Sequence, residues 1–405
     1  MRYSRMQSRR RFLQGGAAAA VAGWLPRSAF AADPIKVGLI LPMTGPFAST
    51  GRQTQAGVRL YMQKNGDTVA GRKIELIVKD DTGLAPETTK RIAQDLIVQE
   101  KVSIIAGFGL TPLALATAPL ATEAKLPMIV MCAGTSIIPQ RSPFIVRTGF
   151  TLPQNTAPIA DWAAKNKIKK VYSIVSDFAP GIDAESAFQK AFTAHGGEIV
   201  GSVRVPLKNP DFAPYVQRAK DAKPEAVFIF IPAGEQSVGF VKAFAERGLR
   251  QAGIQVIGPG DVTDDDVLEA MGEPTLGMIT THHYSFAHDS PQNEAFRKAY
   301  ASVSGAKQRP NFMAVGGYDG MAAIAAVVTK LGGKMDAEKA MEIFKTYKTE
   351  SPRGPIEIDP QTRDIVQSVY VRKVEKKGGQ YLNVEFDRFL HVKDPVKEAT
   401  KEAAK

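Results

Sequence analysis

The sequence predicts an α/β protein built as two doubly wound, parallel-sheet lobes. Three observations carry that reading. Short β-branched apolar runs alternate with helix-length segments, the sign of parallel strands joined by right-handed crossovers. The alternation breaks off near residue 150 and then restarts. Chains longer than about 250–300 residues usually divide into separate cores, and this one has 405 residues, 44% of them hydrophobic.

Ile35 to Leu41 (IKVGLIL) is an apolar run closed by Pro42, which fits a strand covered on both faces. A helix follows from about Gly51, with Gly57, Leu60 and Tyr61 on one face, and Asn65-Gly66-Asp67 ends it as a turn. Lys73 to Val78, Val102 to Ala106 and Met128 to Met131 read as further strands, and Ala85 to Val98 and Thr111 to Ala124 as the helices between them. Beyond residue 150 come strands at Val171 to Val175, Glu198 to Val205 and Ala226 to Ile231. Helices at Ile182 to His195, Phe212 to Ala222 and Gln236 to Gly248 alternate with them. A strand near Met278 to Tyr284 precedes helices at Pro291 to Ser304, Met313 to Leu331 and Asp336 to Tyr347. Strands around Ile356 to Ile358 and Val369 to Lys373 have no helix between them, and the Lys/Glu/Ala-rich end predicts a solvated tail over 393–405.

The first 31 residues read as an export signal. Ser8-Arg9-Arg10-Arg11-Phe12-Leu13-Gln14 carries a twin-arginine pattern, an apolar run extends from Gly15 to Leu25, and Ala29-Phe30-Ala31 is a small-residue exit. The run is about 11 residues, short of the roughly 20 that a membrane helix needs. No later stretch reads as a span, and no Cys follows the exit to carry a lipid. A periplasmic protein beginning near Ala32 and not embedded in the membrane is therefore expected. The signal holds six of the 52 basic residues and none of the 41 acidic ones, so the net charge of +11 falls to +5 without it. The remaining basic clusters, such as Lys167-Ile168-Lys169-Lys170, lack interleaved aromatics, and no nucleic-acid partner is expected. Cys132 is the only cysteine, which excludes an internal disulfide and any CxxC site and predicts a buried thiol.

Catalytic and cofactor signatures are missing: there is no phosphate loop, dinucleotide fingerprint, nucleophile elbow or zinc helix. Neither an enzyme nor a bound cofactor is expected. His282 and His283 are adjacent on an expected strand and should face opposite ways, which argues against a shared metal. The acidic pair Asp80-Asp81 reads as a strand end, and Asp264-Asp265-Asp266 as the first turn of a helix.

One constellation carries chemistry. Gly107-Phe108-Gly109-Leu110-Thr111-Pro112 follows a strand, and Thr then Pro marks a helix N-terminus. Ligands of open α/β sheets sit at the carboxyl ends of strands, where free N–H groups and the helix dipole favour an anion. The next strand runs into Cys132-Ala133-Gly134-Thr135-Ser136, a second small-residue loop with two hydroxyls. Together the loops could clasp one carboxylate.

From Ile35 to about Val371 the chain resembles the leucine/isoleucine/valine-binding protein family of ABC transporters, with the type I periplasmic binding fold. The resemblance runs through Ile35-Lys36-Val37-Gly38 with Met43-Thr44-Gly45-Pro46, through Asp80-Asp81, Ala133-Gly134-Thr135-Ser136 and Gly258-Pro259, and through Gly316-Gly317-Tyr318-Asp319-Gly320. It implies three crossings between lobes and a cleft that closes on its ligand by a hinge. The implied lobes are 34–150 with 283–354, and 151–282 with 355–392. It also implies a membrane permease as partner and a monomer.

Carried over position by position, the carboxylate-binding hydroxyl falls on Thr111, a backbone carbonyl on Ala133 and a second hydroxyl on Thr135. Amino-acid binders place a Glu for the ligand ammonium directly after Gly-Pro, whereas this chain has Gly260 and then Asp261. Thr50 and Pro180 stand where the family has cleft tyrosines, leaving Phe178 and Tyr284 as the nearest aromatics. The resemblance thus implies capture of a small carboxylate-bearing solute, a branched-chain or other amino acid. The alternatives are aromatic or other non-amino carboxylates, or a ligand sensor of the same fold.

Overall fold

The structure, a computed structural model, describes residues 33–305 and 308–403. The expected signal, residues 1–31, lies outside the described residues.

The chain crosses between two sheets three times. It first lays down six strands, β1 (Ile35–Leu41), β2 (Thr68–Val69), β3 (Arg72–Asp80), β4 (Ile104–Gly107), β5 (Met128–Val130) and β6 (Ile145–Arg147), in the order β2-β3-β1-β4-β5-β6. All but the β2–β3 pair are parallel. Helices α1 (Ala48–Asn65), α2 (Pro86–Val98) and α3 (Thr111–Glu123) connect them. Six of the seven residues of β1 are buried, as a strand with helices on both faces requires.

The second lobe opens with α4 (Leu152–Lys165), entered through a capping box in which Thr151 and Gln154 satisfy each other's backbone N–H. Strands β7 (Lys170–Ser176), β8 (Glu198–Val205), β9 (Ala226–Phe230), β10 (Gln255–Pro259) and β11 (Ile279–His282) follow, with α5 (Ala179–Ala194), α6 (Ala213–Asp221), α7 (Glu235–Glu246) and the short α8 (Leu268–Met271) between them. The chain returns to the first lobe for α9 (Pro291–Ser304), α10 (Phe312–Lys330) and α11 (Ala337–Phe344). It then re-enters the second sheet as β12 (Lys348–Ser351), β13 (Gly354–Ile358), β14 (Ile365–Lys377) and β15 (Gln380–Val392) before ending in α12 (Pro395–Ala403). The second sheet runs β12-β13-β14-β11-β10-β9-β7-β8, with β15 on β14, and β14 is antiparallel to β11.

Four features differ from the sequence reading. The third crossing lies ahead of Lys348 rather than at 354, because β12 already pairs with β13. Strand β6 falls inside the stretch left unassigned, being only three residues long. Helix α10 is long and apolar enough to cross a membrane, yet 83% of that stretch is buried. It packs on α1 with the backbones in close approach: a Cβ on Gly57 would stand 1.9 Å from the Ala314 carbonyl oxygen, and one on Gly317 2.2 Å from that of Thr54. Finally, the described part of the expected tail, 393–403, is docked rather than solvated. Asp394 and Lys397 are buried, Ser136 donates to Asp394, and the Lys397 ammonium pairs with Asp364. Charge spacing alone could not reveal partners so distant in sequence.

Candidate functional site

The two loops picked from sequence meet at the carboxyl edge of the first sheet. Gly107 (φ 107°) and Phe108 (φ 65°) turn the chain sharply after β4, and Phe108 N–H donates to the Ile40 carbonyl at 2.9 Å. Leu110 is the N-cap of α3, so Thr111 is its first helical residue and its hydroxyl is released from capping. That hydroxyl lies 2.9 Å from the hydroxyl of Thr135, and both residues are buried.

The second loop is held from behind by Arg147, at the end of β6. Its guanidinium donates to the carbonyls of Ala133 (2.7 Å), Phe150 (3.1 Å) and Thr135 (2.6 Å) and pairs with Asp364 at 2.7 Å. Arg147 is fully buried, and five-donor geometry suits it to such a fork. The Ala133 carbonyl, expected to face the ligand, is therefore already engaged. On the far side Ser136 N–H donates to Asp183 of α5 at 2.9 Å, a contact between lobes.

Between the lobes lies a small cavity. Thr111 and Ala133 line it from the first lobe, and Phe178 and Asp261 from the second. Thr50 and Pro180, at the places of the family's tyrosines, line it as well. Sequence reasoning missed most of its apolar wall: Phe47, Phe150 and Phe230 complete the ring of aromatics with Phe178, which stacks on Phe230 at 6.1 Å. Phe230 ends β9, so the rule that sites sit at strand carboxyl ends could have found it. Cys132 also lines the cavity. Its thiol, 3.0 Å from the Thr54 hydroxyl, is pushed up to about 12 by burial.

Tyr284 does not belong to the site. Strand β11 ends at His282, and the chain turns Tyr284 into the core, where its hydroxyl donates to Asn293 at 2.9 Å and its ring meets the edge of Phe296. The same strand end changes the reading of the histidines. His283 escapes the strict alternation, and the two rings lie 4.4 Å apart. Burial pushes His282 down to about 4 and His283 well below the usual imidazole range, so both are neutral at pH 7. Among the described residues no three His, Cys, Asp or Glu side chains are grouped to hold a metal.

The acidic residues act mainly as ties. Asp80 accepts from the N–H groups of Met43, Thr44 and Thr82 and from the Thr44 hydroxyl; burial would raise its pKa, but these bonds hold it below the ordinary carboxylate value. The run 264–266 precedes α8 rather than opening a helix. Asp265 accepts from Phe286 N–H and Asn383, and Asp266 accepts from the Ser49 hydroxyl of the first lobe at 2.5 Å.

The sequence pattern of periplasmic binding proteins matches residues 34–380. The chain belongs to the periplasmic binding protein family. Among its relatives is the Leu/Ile/Val-binding protein homolog 6 of Brucella melitensis, 44% identical over 372 residues, spanning 92% of this chain and 95% of that one. The solute-binding protein of an ABC transporter from Rhodopseudomonas palustris BisB5, solved with 3,4-dihydroxybenzoic acid, is 59% identical. It superposes with a TM-score of 0.88 over 90% of this chain and 99% of its own. A second R. palustris solute-binding protein, solved with 4-hydroxybenzoate, is 44% identical at the same TM-score and coverage. This periplasmic binding protein is accordingly a solute-binding component of ABC transport, of the Leu/Ile/Val-binding group, and works in the periplasm.

Proposed function

We propose that the protein captures an aromatic carboxylate, of the benzoate class, in the cleft between its lobes and delivers it to a membrane permease. The observation that carries this reading is the wall formed by Phe47, Phe150, Phe178 and Phe230 in the cavity that Thr111, hydrogen-bonded to Thr135 behind it, also lines. Planar rings bury well against phenyl faces, and hydroxyls with the first turn of α3 suit a carboxylate. Two relatives at 59% and 44% identity hold hydroxybenzoates, which supports the same class here. The second reading, an α-amino acid, rests on Asp261, a buried second-lobe acid in the cleft wall that could face an ammonium.

A thermal-shift screen separates the two. Ligand at 100 times its Kd adds about 2.7 kcal/mol to stability, so benzoate, 4-hydroxybenzoate and 3,4-dihydroxybenzoate should raise Tm while leucine, isoleucine and valine leave it unchanged. A response confined to the amino acids overturns the aromatic reading.

Export through the twin-arginine route, cleavage before Ala32, a monomeric state and the lack of catalysis complete the proposal. The arginine pattern, the Ala29-Phe30-Ala31 exit and a family of binding proteins support them. Light scattering of the purified protein checks the monomer.

A further inference from the structure

The cleft contains one carboxylate whose chemistry is not used by the fold. Asp261 sits in the turn after β10, is 3% exposed, and lines the cavity from the second lobe. Its Oδ2 accepts no hydrogen bond from the protein. The nearest cation candidate is His282 Nε2 at 3.6 Å, too long for a hydrogen bond, and burial keeps that ring neutral at pH 7. The neighbouring acids are engaged: Asp264 by Asp266 N–H, Asp265 by Asn383 and Phe286, and the half-buried Asp266 by Ser49. A buried carboxylate oxygen without a partner keeps its full desolvation penalty, so the ligand is expected to supply the missing donor.

We propose that Asp261 is a specificity residue that accepts a hydrogen bond from a phenolic hydroxyl of the bound benzoate. The proposal rests on the aromatic-carboxylate reading and names the subclass within it. Orientation follows from charge. The ligand carboxylate is repelled by Asp261 and attracted to the hydroxyls and helix N-terminus of the first lobe, so the ring end opposite the carboxylate is directed at the second lobe. An unsubstituted benzoate brings only C–H to Asp261 and leaves Oδ2 desolvated and unpaired. A para hydroxyl brings a strong donor, because O–H to an ionised oxygen is among the shorter and stronger hydrogen bonds. Discrimination of this kind is steep, since a site built to pair with a hydroxyl rejects the analogue lacking it.

Calorimetric Kd values for benzoate, 4-hydroxybenzoate and 4-methoxybenzoate test this on the wild type, Asp261→Asn and Asp261→Ala. In the wild type 4-hydroxybenzoate should bind about 10- to 150-fold more tightly than benzoate. The methoxy analogue, of similar reach but without the proton, should lose that advantage. The ratio of the benzoate and 4-hydroxybenzoate constants should fall toward one in Asp261→Ala and to an intermediate value in Asp261→Asn, which keeps a weaker acceptor in nearly the same volume. A wild-type ratio near one, or a ratio that survives both substitutions, overturns the role of Asp261 while leaving benzoate capture intact. If none of the three binds the wild type, the aromatic reading itself has failed and the proposal falls with it.

Discussion

Arg147 donates from Nη2 to the Thr135 carbonyl at 2.6 Å, so the loop whose hydroxyl faces Thr111 is set by a guanidinium at the end of the neighbouring strand. The same group joins Asp364, which in turn pairs with Lys397 of the terminal helix. One buried network therefore links the site loop, the second sheet and the tail.

Breaking that network should cost stability and binding together. Removing one partner of a buried ion pair costs about 3–5 kcal/mol, and Lys397 remains to neutralise part of Asp364, so Arg147→Met should lose about 3 kcal/mol. Arg147→Lys keeps the charge without the fork and should recover stability more than affinity. Urea unfolding and calorimetric titration of both variants read the two effects. Wild-type affinity in Arg147→Met would remove its positioning role.

Thr111 and Thr135 should act on the ligand rather than on the fold. Hydrogen bonds to a charged group contribute about 1.5–3 kcal/mol, so Thr→Ala at either position should weaken 4-hydroxybenzoate binding by about 10- to 150-fold. Leu110, not Thr111, is the N-cap of α3, and the usual loss of about 1 kcal/mol for a cap does not apply. Because the two hydroxyls touch, the double variant should cost less than the sum of the singles. Unchanged titrations would refute the assignment.

What is legible in the sequence is the placing of loops whose meaning is local. Thr111, Ala133 and Thr135 follow apolar runs directly, and a strand end in an α/β sheet is a place for ligands whatever the rest of the chain does. What could not be read depends on partners far along the chain. Arg147 is one basic residue among many until Asp364 stands beside it, 217 residues on. Tyr284 enters only as one of the aromatics nearest the family's missing tyrosines, and the stop of β11 at His282, which turns its hydroxyl to Asn293, has no local signal. The terminal helix reads as solvated from its Lys/Glu/Ala pattern, and only Asp364 and Ser136 show why Lys397 and Asp394 are buried. The third crossing precedes its expected place because the short pair β12–β13 carries little apolar signal, two of the four residues of β12 being exposed.

Lobe closure should be visible in solution. Ser49 to Asp266 and Ser136 to Asp183 tie the lobes at two separate points. Such contacts between lobes, together with a ligand touching both, favour the closed state. The radius of gyration from solution scattering should fall on adding 4-hydroxybenzoate, and Asp183→Ala should raise its Kd. No change at saturating ligand would point to a rigid cleft.

Export should depend on the arginine pair. Replacing Arg9 and Arg10 by Lys should leave precursor in the cytoplasm if the twin-arginine route carries the protein. Intact-mass measurement of the periplasmic form should give a start within a residue or two of Ala32. Normal export of the Lys variant would assign the protein to the general secretory route.

Asp81 gives a pH dependence whose sign follows from its surroundings. It is fully buried at the end of the strand pairing with β1, accepts from Gly83 N–H at 3.0 Å, and has no partner for Oδ2. Burial, reinforced by the Asp80 charge, pushes its carboxyl up to about 6 from an ordinary value of 3.8. The folded state therefore holds the proton more tightly than the unfolded chain, and the ionised form is the destabilising one. Stability linked to this group is highest below about pH 4, declines as pH rises from about 4 to about 6, and is level above that. At about 1.36 kcal/mol per pKa unit the decline is on the order of 2–3 kcal/mol. Asp81→Asn keeps an acceptor for Gly83 but cannot ionise, so its stability relative to the wild type should improve by that amount between pH 4 and pH 7.5. Urea unfolding of both proteins at the two pH values measures it. A difference that does not change with pH would mean that Asp81 is not the buried, proton-holding group that its environment implies.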